Sequence, residues 1–592
     1  MATGVVVPLS PARLARLRQA EQLELARRSR QPLLVAAGAL GYVLAGVLVW
    51  WHLWGSGIGG SLASGSLDPA QDVWWLAWVP HALGQGHNPF FTTSMYYPAG
   101  VNVLANTSVL LVGVLLSPIT LTAGPVTAFA VAVVVAPSAS AFAAFLVFRR
   151  YVRWAPAALF GGLLYGFGPF LGTDLRYGHL NLTVLVLPPL GLLVLDRILV
   201  RHTGSPWRAG WWLGLLLVAE FFVSVEVLAL GVVVGVCAVV IVVLARGGRF
   251  WDGASYTLKA AGTAAGVALA ALAYPTWWYL RGPRHFSGAV WGDMTHFSAS
   301  LASFVLPHGE QSGVQFISGG NGAYLGIPLI LVLLAGVAIW TRDRLLHLAG
   351  AMVVVCAVLS LGATLHAGKS STGLPMPAWP LLQLPLWSSV TAERFSAFTD
   401  LFAALCLALV VDHVRRAGFR FGRGLAMATA VVGIVPAVVG TGWPYPAHPL
   451  HEPPVVAALA MLPSGSVVRE YPLAADTDAD GLAWQAASGL SYSVTSGYAI
   501  VPGRDGRAAL SPPDDALSLL FAAASLGRLP PRPDAAVVHG VRAHAFDGGA
   551  VAVVVVTPSP GGTRLTALLE QALGPPARLG GGALWLSPAT PR

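Results

Sequence analysis

Leu67-Asp68-Pro69-Ala70-Gln71-Asp72-Val73-Trp74-Trp75-Leu76-Ala77-Trp78 sets two acidic residues and three tryptophans within twelve positions. It follows an apolar run, Pro32 to Leu53, long enough to cross the ~30 Å hydrocarbon core of a bilayer. Proline suits the first turn of a helix and aspartate the N-cap, so Asp68-Pro69 predicts a helix running to about Leu83. Asp72 then lies one turn beyond Asp68 on the same face, with Trp74, Trp75 and Trp78 close by. Tryptophans at a membrane boundary are ordinarily interfacial anchors, and an N-cap is the plain reading of Asp68. The charge pattern asks for more. No Lys or Arg occurs from Gln31 to Phe148, so the two carboxylates have no counter-ion nearby in sequence. Their partner must come from another loop, a substrate or a metal, and a carboxylate at an interface can deprotonate a hydroxyl.

With 592 residues, 55% hydrophobic and 10% charged, the chain has too little polar surface for a soluble globule and reads as a polytopic α-helical membrane protein. Its net charge of +9 falls in short clusters between apolar runs, as topology signals do, which speaks against nucleic acid as a partner. Cys237, Cys356 and Cys406 each sit inside an apolar run, so neither a disulfide framework nor a zinc site is at hand.

A basic leader, residues 1–31 with Arg13, Arg16, Arg18, Arg27, Arg28 and Arg30, precedes the first span, which reads as a signal anchor. The N-terminus is then cytoplasmic and the loop 54–108, with its membrane-parallel helix, lies outside. A full crossing by Val109 to Ala123 would put Arg149, Arg150 and Arg153 outside; laid in the interface or re-entrant, it leaves every later basic cluster inside. About eleven crossings result at ~20 residues each, filling residues 32–442 of a plasma-membrane protein. Residues 443–592 are richer in Pro, Asp and Gly, with strand-like Ser466 to Val468 and Val551 to Val556 and a helix-like Thr563 to Leu573. They are expected to form a small extracytoplasmic α/β domain.

Asp174, Arg176 and His179 crowd one short outer turn. Arg281, Arg284, His285, Asp293, His296, His308 and Glu310 share a longer loop, and Glu393-Arg394 stands at the mouth of a span. Arginines on the outer face run against the usual bias; they either fix an anionic phosphate or cap helix ends and snorkel. Glu220 and Glu226 sit near the outer end of an apolar hairpin, where charge is functional or paired. The loop histidines lack a compact ligand spacing, so no metal site is expected.

Leu67-Asp68-Pro69-Ala70-Gln71-Asp72, Asn88-Pro89-Phe90, Tyr97-Pro98-Ala99-Gly100-Val101-Asn102, Gly178-His179-Leu180-Asn181-Leu182 and Ala392-Glu393-Arg394-Phe395 together carry a resemblance. Over roughly residues 30 to 442 the chain resembles an actinobacterial branch of the integral-membrane GT-C glycosyltransferases. The usual Asp-Glu or Asp-Asp pair is absent, since Pro69 follows Asp68, so the resemblance leaves Asp68 or Asp72 as the catalytic base, with Asp68 the first in order. It implies inverting transfer of a sugar from a polyprenyl-phosphate donor to a glycan or lipid acceptor of the cell envelope, with no cofactor and the need for a divalent ion left open. His81, Asn88, Asp174, Arg176, His179, Glu226, Arg284, Glu393 and Arg394 are the expected substrate-binding residues. The competing class is a multispan lipid or glycan transporter or flippase, with Glu220, Glu226 and Asp174 along a pathway. In the tail, Trp484, Tyr492 and Tyr498 could stack on sugar rings and so position an acceptor glycan.

Overall fold

At 1.5 Å rise per residue, a helix needs about 20 apolar residues to cross a bilayer, and among the described residues of the computed structural model eight helical segments are long and apolar enough to do so. Residues 32–588 are described except 64–65, 291–296, 308–321, 368–369, 385–386, 388–389, 419, 475–477, 511–514, 530–533 and the side chains of 249 and 250. The basic leader and Asp293, His296, His308 and Glu310 lie outside the described residues.

In chain order, α1 (Pro32–Val49) leads through an outer segment to α2 (Asp68–Gly84) and α3 (Leu110–Ala123), and Gly124 turns the chain into α4 (Pro125–Phe148). The next span is broken into α5 (Ala155–Phe167) and α6 (Pro169–Tyr177) at Gly168-Pro169. There Asp400 accepts the Phe170 N–H at 3.0 Å, supplying from another helix the cap that the break requires. The following span comprises α7 (Leu180–Thr183) and α8 (Leu187–Asp196), continued by a π turn to Arg201. After α9 (Pro206–Val223), Ser224 accepts from Val227 N–H at 3.3 Å and so starts α10 (Val225–Arg246). Then come α11 (Ala254–Arg281), α12 (Ile327–Ile339), α13 (Arg344–Ser360), the single turn α14 (Trp379–Leu382), α15 (Ser396–Arg416) and α16 (Gly422–Val439).

The other three of the eleven expected crossings are α9, which carries Arg208 and Glu220, and the shorter apolar α12 and α13. At 14 residues α3 is also short of a full crossing. α15 is the axis of the bundle: from Ser396 to Asp412 every residue is buried. Its buried Asp412 is satisfied, accepting from the Trp154 N–H at 2.7 Å and pairing with Arg416 at 2.8 Å.

α2 departs from expectation in two ways. Asp68 is its first residue rather than its cap, because the Ser66 hydroxyl accepts the Asp68 N–H at 3.2 Å and frees the carboxylate. Trp74, Trp75 and Trp78 are not surface anchors; all three are buried. α2 is apolar almost all round because it is enclosed, with α3 and α4 on one side and the C-terminal region on the other.

That region is an α/β unit. Its sheet runs in the order Ala577–Leu579, Gly582–Leu586, Ala550–Val556, Ser466–Tyr471, Tyr492–Val494, the last three strands mutually parallel. After α17 (Pro454–Ala457), α18 (Asp480–Ala487) packs on α2, and Gln485 accepts the Trp74 indole N–H at 2.7 Å. The strand Ser61–Ala63 pairs antiparallel with Ala447–Pro449, stitching the start of the outer loop to the exit of the last helix.

Candidate active site

Each residue of the site is set by a local device. Gly178 ends α6 in the left-handed region at φ 73°, and a Cβ there would lie 2.5 Å from Pro69 Cγ, so glycine lets the turn close onto the start of α2. That contact delivers His179 to Asp68, Nε2 to Oδ2 3.1 Å, while its Nδ1 meets Asp174 Oδ1 at 2.9 Å. A buried imidazole between two carboxylates holds a proton. Burial pulls the His179 pKa down, but the hydrogen bonds and charges of Asp174 and Asp68 outweigh it and raise it to about 10.

The two aspartates of α2 are driven apart. Burial would raise Asp68, yet the hydrogen bond and charge of His179, a hydrogen bond from the Tyr498 phenol and the field of Arg394 bring it below the usual carboxylate range. About a third (32%) of its side chain remains accessible. Asp72 is only 2% exposed; burial raises it well above the usual range, the neighbouring charge of Asp68 adds to this, and the Leu180 N–H it accepts at 3.1 Å only partly offsets it. Burial thus favours the neutral form of Asp72, which accepts at the start of α7, while His179 favours the anion of the more accessible Asp68.

Across from Asp68 and His179, Arg394 pairs with Glu226, which also accepts the Thr391 N–H at 3.0 Å. Glu393 accepts the Gly322 N–H at 3.0 Å. Phe170, Thr173, Asp174, His179, Glu393 and Arg394 line a cleft with about 330 Å³ of empty space, including solvent at its mouth. Among the described residues no three His, Cys, Asp or Glu side chains are grouped as metal ligands.

No family model and no curated protein matches the chain. Among solved structures it is similar to the Archaeoglobus fulgidus oligosaccharyltransferase complexed with zinc and sulfate, at 13% identity and a TM-score of 0.44, over 91% of this chain and 70% of that one. It is similar also to AglB of the same organism in complex with an inhibitory peptide and a dolichol-phosphate, at 13% identity and a TM-score of 0.43, over 92% and 72%.

A second cavity lies between α8, α9, α10, α13 and α15, with about 1250 Å³ of empty space, including the space at its open side, walled chiefly by Leu and Val. Val227 and Phe398 line it and stand within four residues of Glu226 and Arg394, so its upper end adjoins the ion pair. Glu220 projects into it with Oε1 unpartnered among the described residues.

The structure thus gathers Asp68, Asp72, Asp174, His179, Glu226, Glu393 and Arg394. Four expected residues stand elsewhere. His81 lies 13 residues along α2 from Asp68, roughly 20 Å away at helical rise, beside the Trp78 ring. Asn88 is exposed and faces the Tyr274 hydroxyl. Arg176 turns toward Gly442 and Tyr445, and Arg284 lies near Tyr96. Sequence reading missed Thr391 and the carboxylate contact of Tyr498, because both arrive from segments hundreds of residues away.

Proposed function

We propose that the chain is a GT-C-type membrane glycosyltransferase that moves a sugar from a polyprenyl-phosphate donor to a cell-envelope acceptor, inverting the anomeric centre. Asp68 removes the proton of the acceptor hydroxyl as its oxygen bonds to the anomeric carbon. The bond from that carbon to the phosphate oxygen breaks, and the lipid phosphate leaves toward Arg394. His179, held protonated by Asp174, keeps Asp68 ionised and oriented. The isoprenoid tail occupies the apolar cavity below Glu226 and Arg394. The reaction faces outside, with the N-terminus cytoplasmic and the C-terminal region extracytoplasmic.

The observation that carries this reading is the accessible Asp68 carboxylate held by His179 at 3.1 Å, with His179 and Arg394 on the wall of one cleft and an apolar cavity lined by α10 and α15 just beyond Glu226 and Arg394. In sealed right-side-out vesicles loaded with polyprenyl-phosphate sugar, transfer to an acceptor supplied outside is expected. Asp68→Asn should lower it by about 10²- to 10⁴-fold, the usual contribution of a general base, with the protein still inserted. Full transfer by that variant would remove Asp68 from the mechanism. The same cavity, with Glu220 facing it, favours one other reading, a lipid flippase; lipid scrambling without sugar turnover in these vesicles would select it.

A further inference from the structure

Asp68 takes a donor from each of two distant parts of the chain. One is His179, from the membrane bundle; the other is the phenol of Tyr498, from the turn that leaves the last parallel strand of the C-terminal sheet.

The turn carrying Tyr498 is clamped residue by residue onto the outer loop. Tyr97 N–H donates to the Val494 carbonyl at 3.1 Å and Val494 N–H to that of Ser94 at 3.0 Å, so the strand Tyr492–Val494 continues as a pairing with residues 94–97. Tyr96 N–H reaches the Ser496 carbonyl at 3.0 Å, and its phenol reaches the Gly497 carbonyl at 2.6 Å. A Cβ on Gly497 would lie 2.8 Å from the Tyr96 ring, so glycine permits this approach. Asn106 grips Ile500 through both its N–H, at 2.7 Å, and its carbonyl, at 3.1 Å. The Tyr498 carbonyl itself accepts from the amide of Gln71, one turn along α2 from Asp68, and Thr107 fixes Gln71 in turn at 3.1 Å. With its backbone held on both sides and from α2, Tyr498 stands beside Asp68, to whose carboxylate its phenol donates.

We propose that Tyr498 is a positioning residue for the reaction, by which the C-terminal region sets the orientation of the Asp68 carboxylate. This rests on the reading of Asp68 as the base. Two converging donors fix the carboxylate rotamer and leave its remaining lone pairs for the acceptor hydroxyl. A donor to the charged form also favours ionisation, so loss of the phenol raises the pH at which Asp68 takes up a proton.

The test is Tyr498→Phe, which keeps the ring and its packing. The expected result is a kcat about tenfold lower with KM for the lipid donor within about twofold, an acid limb of the kcat profile moved to higher pH, and an unchanged melting temperature. Tyr96→Phe, which releases the Gly497 carbonyl, should move the acid limb in the same direction by less. If Asp68→Asn is inactive while Tyr498→Phe keeps both the wild-type kcat and the wild-type acid limb, this inference fails and the proposed function stands. If Asp68→Asn retains transfer, the base assignment and this inference fail together.

Discussion

Asp68 and Asp72 differ by one helical turn and by their state of charge, and the difference comes from what each accepts. With one backbone N–H, Asp72 is shifted by burial toward its neutral form, whereas the donor His179 shifts Asp68 toward its anion. A third buried carboxyl, Glu470, lies against α18, where a Cβ on Gly481 would fall 1.8 Å from its Oε1. Burial, aided by the charge of Asp478, pushes Glu470 up to about 8 from the ordinary 4.5. The folded state therefore binds this proton more tightly than the unfolded chain. Its contribution is complete below about 4.5 and is lost as pH climbs to about 8. His179 acts in the same direction over a higher window, from about 6.5 to about 10, and Asp68 in the opposite direction, its share disappearing as pH falls through the acid range. Melting temperature should thus decline from pH 5 to 8 in the native protein, and Glu470→Gln should flatten that slope below about pH 6.5 and lessen it up to about 8, leaving the His179 fall from about 6.5 to about 10. An identical slope in the variant would show that Glu470 is ionised in the folded state.

At the level of elements, α2 is where sequence reading both succeeded and failed. The Asp68-Pro69 start and the shared face of the two aspartates follow from helical spacing and needed no tertiary information. That the tryptophans are interior could not be read locally, since an aromatic run beside a span looks the same whether a lipid headgroup or another domain covers it. His81 and Asn88 share the loop of the site in sequence, but a 17-residue helix carries His81 to its far end. Trp74 and Trp75 allow a direct comparison. The Trp74 indole donates to Gln485, whereas the buried Trp75 N–H has no partner among the described residues. Trp74→Phe strands the Gln485 oxygen and should cost about 1–3 kcal/mol more than Trp75→Phe, which removes an unpaired donor. Equal melting-temperature losses would show that the Trp74 hydrogen bond adds nothing net.

For the whole molecule, the bundle and the α/β tail were legible from apolar run lengths and the change of composition after Gly442. Their joint was not, because it consists of single hydrogen bonds and a three-residue strand pair between sequence-distant segments. The sequence suggests a tail that positions an acceptor glycan, whose loss would weaken acceptor use more than donor binding. The contacts of Gln485, Ser496, Gly497 and Ile500 with the outer loop give another outcome. Removing residues 443–592 should expose the buried face of α2, making the outer loop protease-sensitive and abolishing donor hydrolysis as well as acceptor use. Retained donor turnover by the truncated chain would contradict this.

The pairing of Ala63 with Ala447 also imposes an order of events on biosynthesis. The first of these strands is made early, and its mate must wait while the intervening helices are made, roughly 20–80 s at 5–20 residues per second. Until then the reactive carboxylate has neither its far-side hydrogen-bond donor nor its roof. On the proposed function, a ribosome-bound or prematurely terminated chain would be unable to turn over a lipid-linked sugar, and competence would come only when translation has run nearly to its end.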